Sequence, residues 1–285
     1  IISMIKAQFK GTQIVPKDAV FPEIGELRGD FGKEVLAEYE GRAKSDYGNA
    51  DALNVLSYSN GVVIGSNPFA TVLINQIVRA NGLRTATPAD LEKALSVGID
   101  LSEGYSDSAL VLRSVEEPNK YLAENLANQI KARGNKKYLA MIPLNGLELV
   151  KDASSPHGLA FQLREDANII YASILGKDTG NFNSEDINLA IGLPERLGNG
   201  NRTLYTRKSG LSWLYLARGS GLYSDIGDLA DSNESGRVRL TSASQGAKSA
   251  KNLAQYVANL EKAKAEEIAK IEQRFGKAMN ILTGN

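Results

Sequence analysis

The stretch Gly82-Leu-Arg-Thr-Ala-Thr-Pro-Ala-Asp-Leu-Glu-Lys-Ala-Leu95 combines a turn, a helix cap and an amphipathic helix in one short segment. Thr87 is a suitable N-cap, and Pro88 takes the first helical position, where no backbone N–H is needed. Asp90 stands three residues after the cap and can answer it as in a capping box, although Glu is usual there. We therefore predict a helix that begins at Pro88 and buries its leucines.

Further helices and strands are predicted on both sides of this stretch. Ser66-Asn67-Pro68 has the polar cap and early proline of a helix start, and Asn81-Gly82 supplies the stop signal. Residues 176–202 are rich in Gly, Asn and Asp and predict a long surface loop. The remaining predictions are helices over 33–42 and from Pro118 to Gly134, and strands over 109–112, 138–144, 147–150, 161–163 and 169–175, with a hairpin turn at Asn145-Gly146.

From Gly210 onward, spaced apolar anchors alternate with chemically unrelated residues, without a helical or strand period. The anchors are Leu211, Leu214, Leu216, Leu222, Leu229, Val238 and Leu240. Among the other residues, Trp213, Tyr215 and Tyr223, with Arg218, have the composition of a recognition surface if they are exposed. A Tyr-rich core strand with polar turns is an equally good interpretation.

The composition excludes several kinds of chemistry. The 285 residues include 33 Lys plus Arg and 33 Asp plus Glu, so the formal net charge is zero, which argues against nucleic-acid binding by bulk charge. There is no cysteine, which excludes disulfides, thiolate nucleophiles and zinc–thiolate sites. A single histidine, His157, makes a His-rich metal site or a histidine-dependent triad a poor interpretation.

Two features concern membranes and self-association. No apolar run approaches the roughly 20 residues that span a bilayer, so we expect a soluble protein, and display on a surface or virion stays open. Residues 246–285 predict a long amphipathic helix with Leu253, Val257, Leu260 and Ile268 near one face. Packing on the body is the favoured interpretation, and pairing with another copy is the alternative.

Three local motifs suggest chemistry but are better explained as loops. Asp178-Thr179-Gly180 is the aspartic-protease tripeptide, but a second copy is absent, and such sites need two carboxylates. The oxygen-bearing residues between Asp178 and Asp186 could collect a calcium ion, although the EF-hand spacing is absent. Gly198-Asn-Gly200 and Gly219-Ser-Gly221 lack the strand and helix that a phosphate-binding loop requires.

Two stretches together resemble the formylglycine-generating-enzyme type of C-type lectin fold. Gly82–Leu95, preceded by the helix over 68–80, is similar to that fold's R-L-P-T-E-A-E-W-E-x-A segment, with Ala86 replacing the Pro and Leu91 replacing the Trp. The closing Asp228-Leu-Ala-x-Ser-x-x-x-Gly236-Arg-Val-Arg-Leu240 resembles its last strands, which end in a G-F-R element. The resemblance covers roughly residues 50–245 and implies an α+β, C-type-lectin-like domain.

The stretch Asn201-Arg-Thr-Leu-Tyr-Thr-Arg-Lys-Ser-Gly-Leu-Ser-Trp-Leu-Tyr-Leu216, continued to Leu240, resembles the variable region of target proteins of diversity-generating retroelements, in their archaeal-type branch. In that family a reverse transcriptase miscopies the adenines of a template repeat. Asn codons then change to many others, while codons without adenine stay fixed. The resemblance implies a ligand-binding protein and not an enzyme, because the catalytic members of the fold use cysteines.

The resemblance also implies a domain organisation and a set of binding residues. A lectin-like domain with an N-terminal elaboration would occupy residues 1–245, with a variable region over about 205–240 and an added helix over 246–285. Glu234 departs from the pattern, because Asn codons do not change to Glu codons in this way, and Trp213 requires an adenine-containing Arg codon. The implied binding residues are Ser212, Trp213, Tyr215, Ala217, Arg218, Ser220, Tyr223, Asp225, Ile226, Gly227, Asp231, Asn233 and Glu234. The implied supporting residues are Leu211, Leu214, Leu216, Leu222, Leu229, Gly236, Val238 and Leu240.

The expected partner is an unidentified protein or surface ligand. No nucleic acid, cofactor or metal is expected, and self-association through the C-terminal helix stays open. Two alternatives remain at this point. One is a lectin-like or phage structural or adhesion protein with a fixed binding site. The other is a metal- and oxygen-using enzyme of the formylglycine-generating-enzyme superfamily.

Overall fold

Residues 24–134, 138–217 and 221–242 are described by a computed structural model, and they form a mixed α+β fold. All of them belong to one compact unit, Glu23–Ala243. The predicted C-terminal helix over 246–285 and residues 1–23 of the N-terminal elaboration lie outside the described residues, as do Arg218 and Ser220.

The secondary-structure elements are numbered here in chain order over the described ranges. The helices are α1 (Gly29–Ser45), α2 (Pro68–Val78), α3 (Pro88–Ser96) and α4 (Lys120–Ala132). The strands are β1 (Gly25–Glu26), β2 (Ser57–Ser59), β3 (Val62–Ile64), β4 (Leu83–Thr85), β5 (Ser106–Leu112), β6 (Ala140–Pro143), β7 (Leu147–Lys151), β8 (Leu159–Leu163), β9 (Ile170–Tyr171), β10 (Gly180–Phe182), β11 (Ile187–Asn188), β12 (Leu193–Pro194), β13 (Arg202–Thr206), β14 (Leu211–Leu216), β15 (Leu222–Ser224) and β16 (Arg239–Ser242).

The two strongest helix signals in the sequence are confirmed. The Asn67 side chain caps α2 by accepting a hydrogen bond from the backbone N–H of Ala70 at 2.8 Å. The helix runs on through a 3₁₀ turn to Gly82, whose φ of 69° needs the left-handed region that glycine tolerates. The start of α3 is a complete capping box: Thr87 accepts from the N–H of Asp90, and Asp90 accepts from the N–H of Thr87.

A seven-stranded sheet, in the order β10-β13-β15-β14-β5-β6-β9, dominates the described residues. The β14–β5 pairing is antiparallel and has an irregularity between Leu214 and Tyr215, whereas β13 and β15 run parallel. One face of the sheet is apolar and buried against α3 and the β11–β12 segment, with Leu204, Leu214 and Leu222 among its buried residues. The sheet therefore positions β13, β14 and β15 side by side, with their opposite face left for other contacts.

A smaller sheet brings together the two ends of the described unit. Its order is β1-β16-β4, with β16 antiparallel to both neighbours. Arg239 of β16 donates to Glu26 of β1 at 3.3 Å and to the carbonyl of Leu101 at 3.1 Å. The segment over 225–238 therefore lies between two strands that are each fixed in a sheet.

Two predictions about local structure are wrong. Asn145-Gly146 is not a hairpin turn: it belongs to a 3₁₀ turn, after which β7 pairs with β8 while β6 pairs with β5 and β9. Residues 176–202 are not a plain surface loop, because they contain β10, β11 and β12 and bury Phe182 and Leu193. These strands are only two or three residues long, too short for an alternating pattern to be visible in the sequence.

Two smaller points complete the picture. The helix predicted from Pro118 begins at Lys120, after Asn119 in a left-handed conformation with φ of 61°. Over the ranges that the structure describes, no helix combines the length and apolar character needed to cross a membrane.

Candidate ligand-binding surface

The apolar anchors after Gly210 all lie in the core. The buried set comprises Leu211, Leu214, Leu216, Leu222, Leu229, Val238 and Leu240. Gly236 is closely covered as well: a Cβ added there would stand 2.6 Å from the backbone nitrogen of Ser66 and 2.8 Å from the carbonyl carbon of Gly65. These buried residues therefore attach segment 211–240 to the core at several points, without a regular spacing.

On the opposite face of the large sheet, three tyrosines form a row that we call the tyrosine ladder: Tyr205 on β13, Tyr223 on β15 and Tyr215 on β14. Tyr205 and Tyr223 are partners in the parallel pairing, and Tyr223 and Tyr215 are partners in the antiparallel one. Their ring centroids are 4.2 Å and 5.1 Å apart, with interplanar angles of 21° and 12°. All three side chains are partly exposed. The register of three neighbouring strands thus places a stacked aromatic strip at the surface.

Trp213 and Tyr105 continue the ladder toward the interior. The Trp213 ring centroid is 4.9 Å from that of Tyr215 and 5.9 Å from that of Tyr105. Trp213 is only 3% exposed, and its indole Nε1 has no hydrogen-bond partner among the described residues. Tyr105 donates to the carbonyl of Ser66 at 2.8 Å. Trp213 is therefore the buried end of the aromatic strip and not part of an exposed surface.

A buried carboxyl group adjoins the ladder. Asp107 lies opposite Tyr215 in the β5–β14 register and is 5% exposed. Its Oδ2 accepts a hydrogen bond from the Ser66 hydroxyl, whereas its Oδ1 has no partner among the described residues. Burial raises the pKa of Asp107 to about 8, and the hydrogen bond from Ser66 only partly opposes this.

Asp225 and Arg207 border the same strip. The Nη1 of Arg207 donates to the backbone carbonyl of Asp225 at 2.7 Å, and the Nε of Arg207 has no partner among the described residues. The Oδ1 of Asp225 is also buried without a partner in this part of the chain. Desolvation raises the pKa values of Tyr215 and Tyr223, and the nearby charge of Asp225 raises them further.

Beneath the ladder, a buried arginine fixes β14 to β15. The Nη1 of Arg113 donates to the Ser212 hydroxyl and its Nη2 to the Ser224 hydroxyl, both at 2.8 Å. Its Nε donates to the carbonyl of Leu175 at 2.8 Å. Burial lowers the pKa of Arg113 to about 10. The Ser212 hydroxyl also donates to the carbonyl of Ser224 at 2.9 Å, so this serine is an internal link.

The structure therefore separates the implied binding residues into groups. Ser212 and Trp213 are buried, and Gly227 has no space for a side chain, since a Cβ there would approach Pro118 Cγ to 2.7 Å. Ser212 and Trp213 cannot change freely without disturbing the core, and this corrects the expectation that their side chains face a ligand. At Gly227 a side chain would have to displace Pro118 and Arg207. The residues that are at least partly exposed are Tyr215, Ala217, Tyr223, Asp225, Ile226, Gly227, Asp231, Asn233 and Glu234.

Sequence reasoning missed Tyr205, Arg207, Tyr105 and Asp107 as parts of this surface. Tyr205 is distant from Tyr223 in the sequence and lies beside it because β13 and β15 pair in parallel. No local sequence pattern predicts such a pairing. Asp107 lies at the start of a strand that was recognised only by its apolar centre. The sequence does show a tyrosine in each of three segments that form strands. Recognising that these tyrosines meet on one surface required knowledge of the strand order, which the sequence does not supply.

The weaker candidate motifs that the structure describes lie in turns or at the ends of short strands, where other residues occupy their polar groups. The Asp186 carboxylate accepts from the Arg196 guanidinium at 2.7 Å and from the Asn183 N–H at 2.9 Å. Thr179, in the protease-like tripeptide, accepts a hydrogen bond from the N–H of Thr206. His157 lies between β7 and β8, with its ring 5.3 Å from that of Phe69. Among the residues that the structure describes, no group of three or more His, Cys, Asp or Glu is placed to hold a metal ion.

Comparison with protein-family models, with curated proteins and with solved structures finds no match for this chain.

Proposed function

We propose that this protein is a ligand-binding protein with a C-type-lectin-like fold, and that segment 205–240 is its diversified recognition surface. The partner would be a protein or another surface ligand, recognised by side chains around the tyrosine ladder. Binding, and not catalysis, is the proposed activity.

The proposal depends on one observation: within segment 205–240, one set of residues is buried and another set is at least partly exposed. Its leucines, Val238 and Gly236 are buried, while Tyr215, Tyr223 and the residues over 231–234 are at least partly exposed. A surface can change its side chains and keep its shape only when the backbone is held by other residues. Here the buried anchors and the Arg113 link hold the backbone, so the outward side chains have little part in folding.

The fold assignment has separate support. The two stretches that resemble the lectin-type fold, Gly82–Leu95 and Asp228–Leu240, become neighbours in space. Leu240 pairs with Thr85, and Thr241 pairs with Arg84, in the β16–β4 pairing. If the resemblance of these two segments to the lectin-type fold were accidental, there would be no reason for them to pair in one sheet.

The nucleotide sequence around the gene tests the proposal. We expect a second copy of the stretch that encodes residues 205–240, differing only where that copy has adenine, with a reverse transcriptase gene beside it. The differing codons should include those for Tyr215 and Tyr223 and spare those for Leu214, Leu216 and Gly236. A locus without such a copy would refute diversification.

A fixed binding surface is the second candidate, and the stacking of the ladder favours it. Tyr223 touches both Tyr205 and Tyr215, so replacing it would remove ring contacts from both neighbours. Because each tyrosine of the ladder depends on its neighbours for stacking, the strip favours an unchanged set of residues and therefore a constant ligand. Under this alternative, related chains would keep all three tyrosines and no template copy would exist.

A further inference from the structure

The tyrosine ladder has an unsatisfied hydrogen-bond acceptor beside it. Asp225 follows Tyr223 by two residues, and its Oδ1 is shielded from solvent and has no hydrogen-bond partner among the described residues. Buried polar atoms normally have a partner, so an orphaned acceptor beside an aromatic strip indicates where a ligand can donate a hydrogen bond.

Asp225 places a carboxylate near the rings. Desolvation raises the pKa values of the Tyr215 and Tyr223 hydroxyls, and the charge of Asp225 adds to this rise. Arg207 is the neighbouring cation, but the contact it makes to Asp225 goes to the backbone carbonyl and not to the carboxylate. The aromatic faces themselves attract cations through their quadrupoles. Ring faces and acceptor oxygens therefore favour the same kind of group.

We propose that the ladder binds a guanidinium group, presented as an arginine side chain on a protein partner. This inference rests on the proposed binding function and specifies the chemistry of the ligand. A guanidinium is planar and can stack on a tyrosine ring, while its edge carries several N–H donors. Those donors would face the Oδ1 atom of Asp225, and the stacked plane would lie against Tyr215 and Tyr223. A quaternary ammonium could use the rings but has no N–H for the oxygens.

The chain contains a built-in reporter for this test. Trp213 is the single tryptophan of the sequence, and its ring centroid is 4.9 Å from that of Tyr215. Nα-acetylarginine amide would be titrated into the whole protein while the Trp213 fluorescence is followed. Nα-acetylcitrulline amide is the matched neutral control, because it has the same shape without the charge. Nα-acetyllysine amide tests whether the planar group is needed.

We expect saturable binding of the arginine derivative and about tenfold weaker binding of the citrulline derivative. Asp225→Asn and Tyr223→Leu should each weaken arginine binding several-fold, while Glu185→Gln, which changes an exposed carboxylate outside segment 205–240, should leave it unchanged. Thermal unfolding of every variant establishes that it is folded under the titration conditions.

Several outcomes would overturn the inference. These are equal binding of arginine and citrulline derivatives, the absence of a saturable response in the folded wild type, or an unchanged affinity in Asp225→Asn. The template-copy search is independent of all three. A template copy without arginine binding leaves the proposed diversification in place and removes the guanidinium. Arginine binding without a template copy keeps the guanidinium and identifies a fixed site.

Discussion

Along β14, neighbouring side chains meet different demands. Leu214 and Leu216 fill the apolar core, and Ser212 satisfies the buried guanidinium of Arg113. Trp213 and Tyr215 face the other way, but Trp213 is covered and Tyr215 is partly exposed. Residue type alone did not distinguish these roles, because serine, tryptophan and tyrosine all occur in recognition surfaces. Burial, which depends on the neighbouring strands, decides which of them can meet a ligand.

The two aromatic residues Trp213 and Tyr223 should therefore differ in their effect on stability. Trp213→Ala empties a buried site and should lower the free energy of unfolding by about 3–5 kcal/mol. Tyr223→Ala removes a partly exposed ring and should lower it by less than about 2 kcal/mol. Urea unfolding of both variants checks this difference. Equal losses would mean that Tyr223 belongs to the core.

Asp107 predicts a specific dependence of stability on pH. Its carboxyl has a pKa raised from 3.8 to about 8 in the folded chain, so the folded state holds a proton that the unfolded state releases. The contribution of this group is fully favourable below pH 4 and is lost as the pH rises toward 8. Across that window the free energy of unfolding should therefore fall as the pH rises.

Asp107→Asn should remove this slope, because an amide does not titrate. Unfolding measured at several pH values between 4 and 8 would give a flatter profile for the variant than for the wild type. Asp231→Asn, which changes an exposed carboxylate, is the control and should keep the wild-type slope. Parallel profiles for wild type and Asp107→Asn would contradict the raised pKa.

The elements that could be predicted are those whose signals are local. The capping residues Asn67 and Thr87 predict where α2 and α3 begin, and both predictions are confirmed. The prediction of a hairpin turn at Asn145-Gly146 was wrong, because a turn signal in the sequence does not determine which strands pair with each other. The short strands β10–β12 were missed because pairing with distant segments, and not their own pattern, defines them. The ladder depends on strand order and was only partly predictable.

Close approach between elements predicts the effect of one glycine replacement. Gly236 lies against Ser66, so Gly236→Ala should displace the backbone at the start of α2 and destabilise the fold by about 1–3 kcal/mol. Gly198→Ala is a matched control, since a Cβ there would meet no atom within 4 Å. The two melting temperatures would be compared directly. A tolerated Gly236→Ala would show that this contact can open.

At the scale of the whole molecule, a buried ion pair connects α3 with the sheet that carries the ladder. Arg202 on β13 donates to both carboxylate oxygens of Glu92, at 2.8 Å and 2.6 Å, and both side chains are buried. The Arg202 guanidinium also lies over the Phe182 ring, with its Cζ 4.7 Å from the ring centroid. The contact joins residues far apart in sequence, so composition gave no indication of it.

Removing one partner of this ion pair should destabilise the fold much more than replacing both partners. Glu92→Leu leaves the guanidinium buried without its carboxylate and should cost about 3–5 kcal/mol. The double variant Glu92→Leu with Arg202→Met should regain most of that loss, because neither charge remains. A double-mutant cycle with the two single variants measures the coupling. Additive losses would show that the two residues act independently.

The small sheet β1-β16-β4 also has a consequence for protein synthesis. Its middle strand is made after segment 205–238, while both of its neighbours are made long before. A chain that stops or shifts reading frame within that segment never supplies β16, and β1 and β4 remain without their common partner. Closure of this sheet therefore requires that the message be read in frame through the codons of β16.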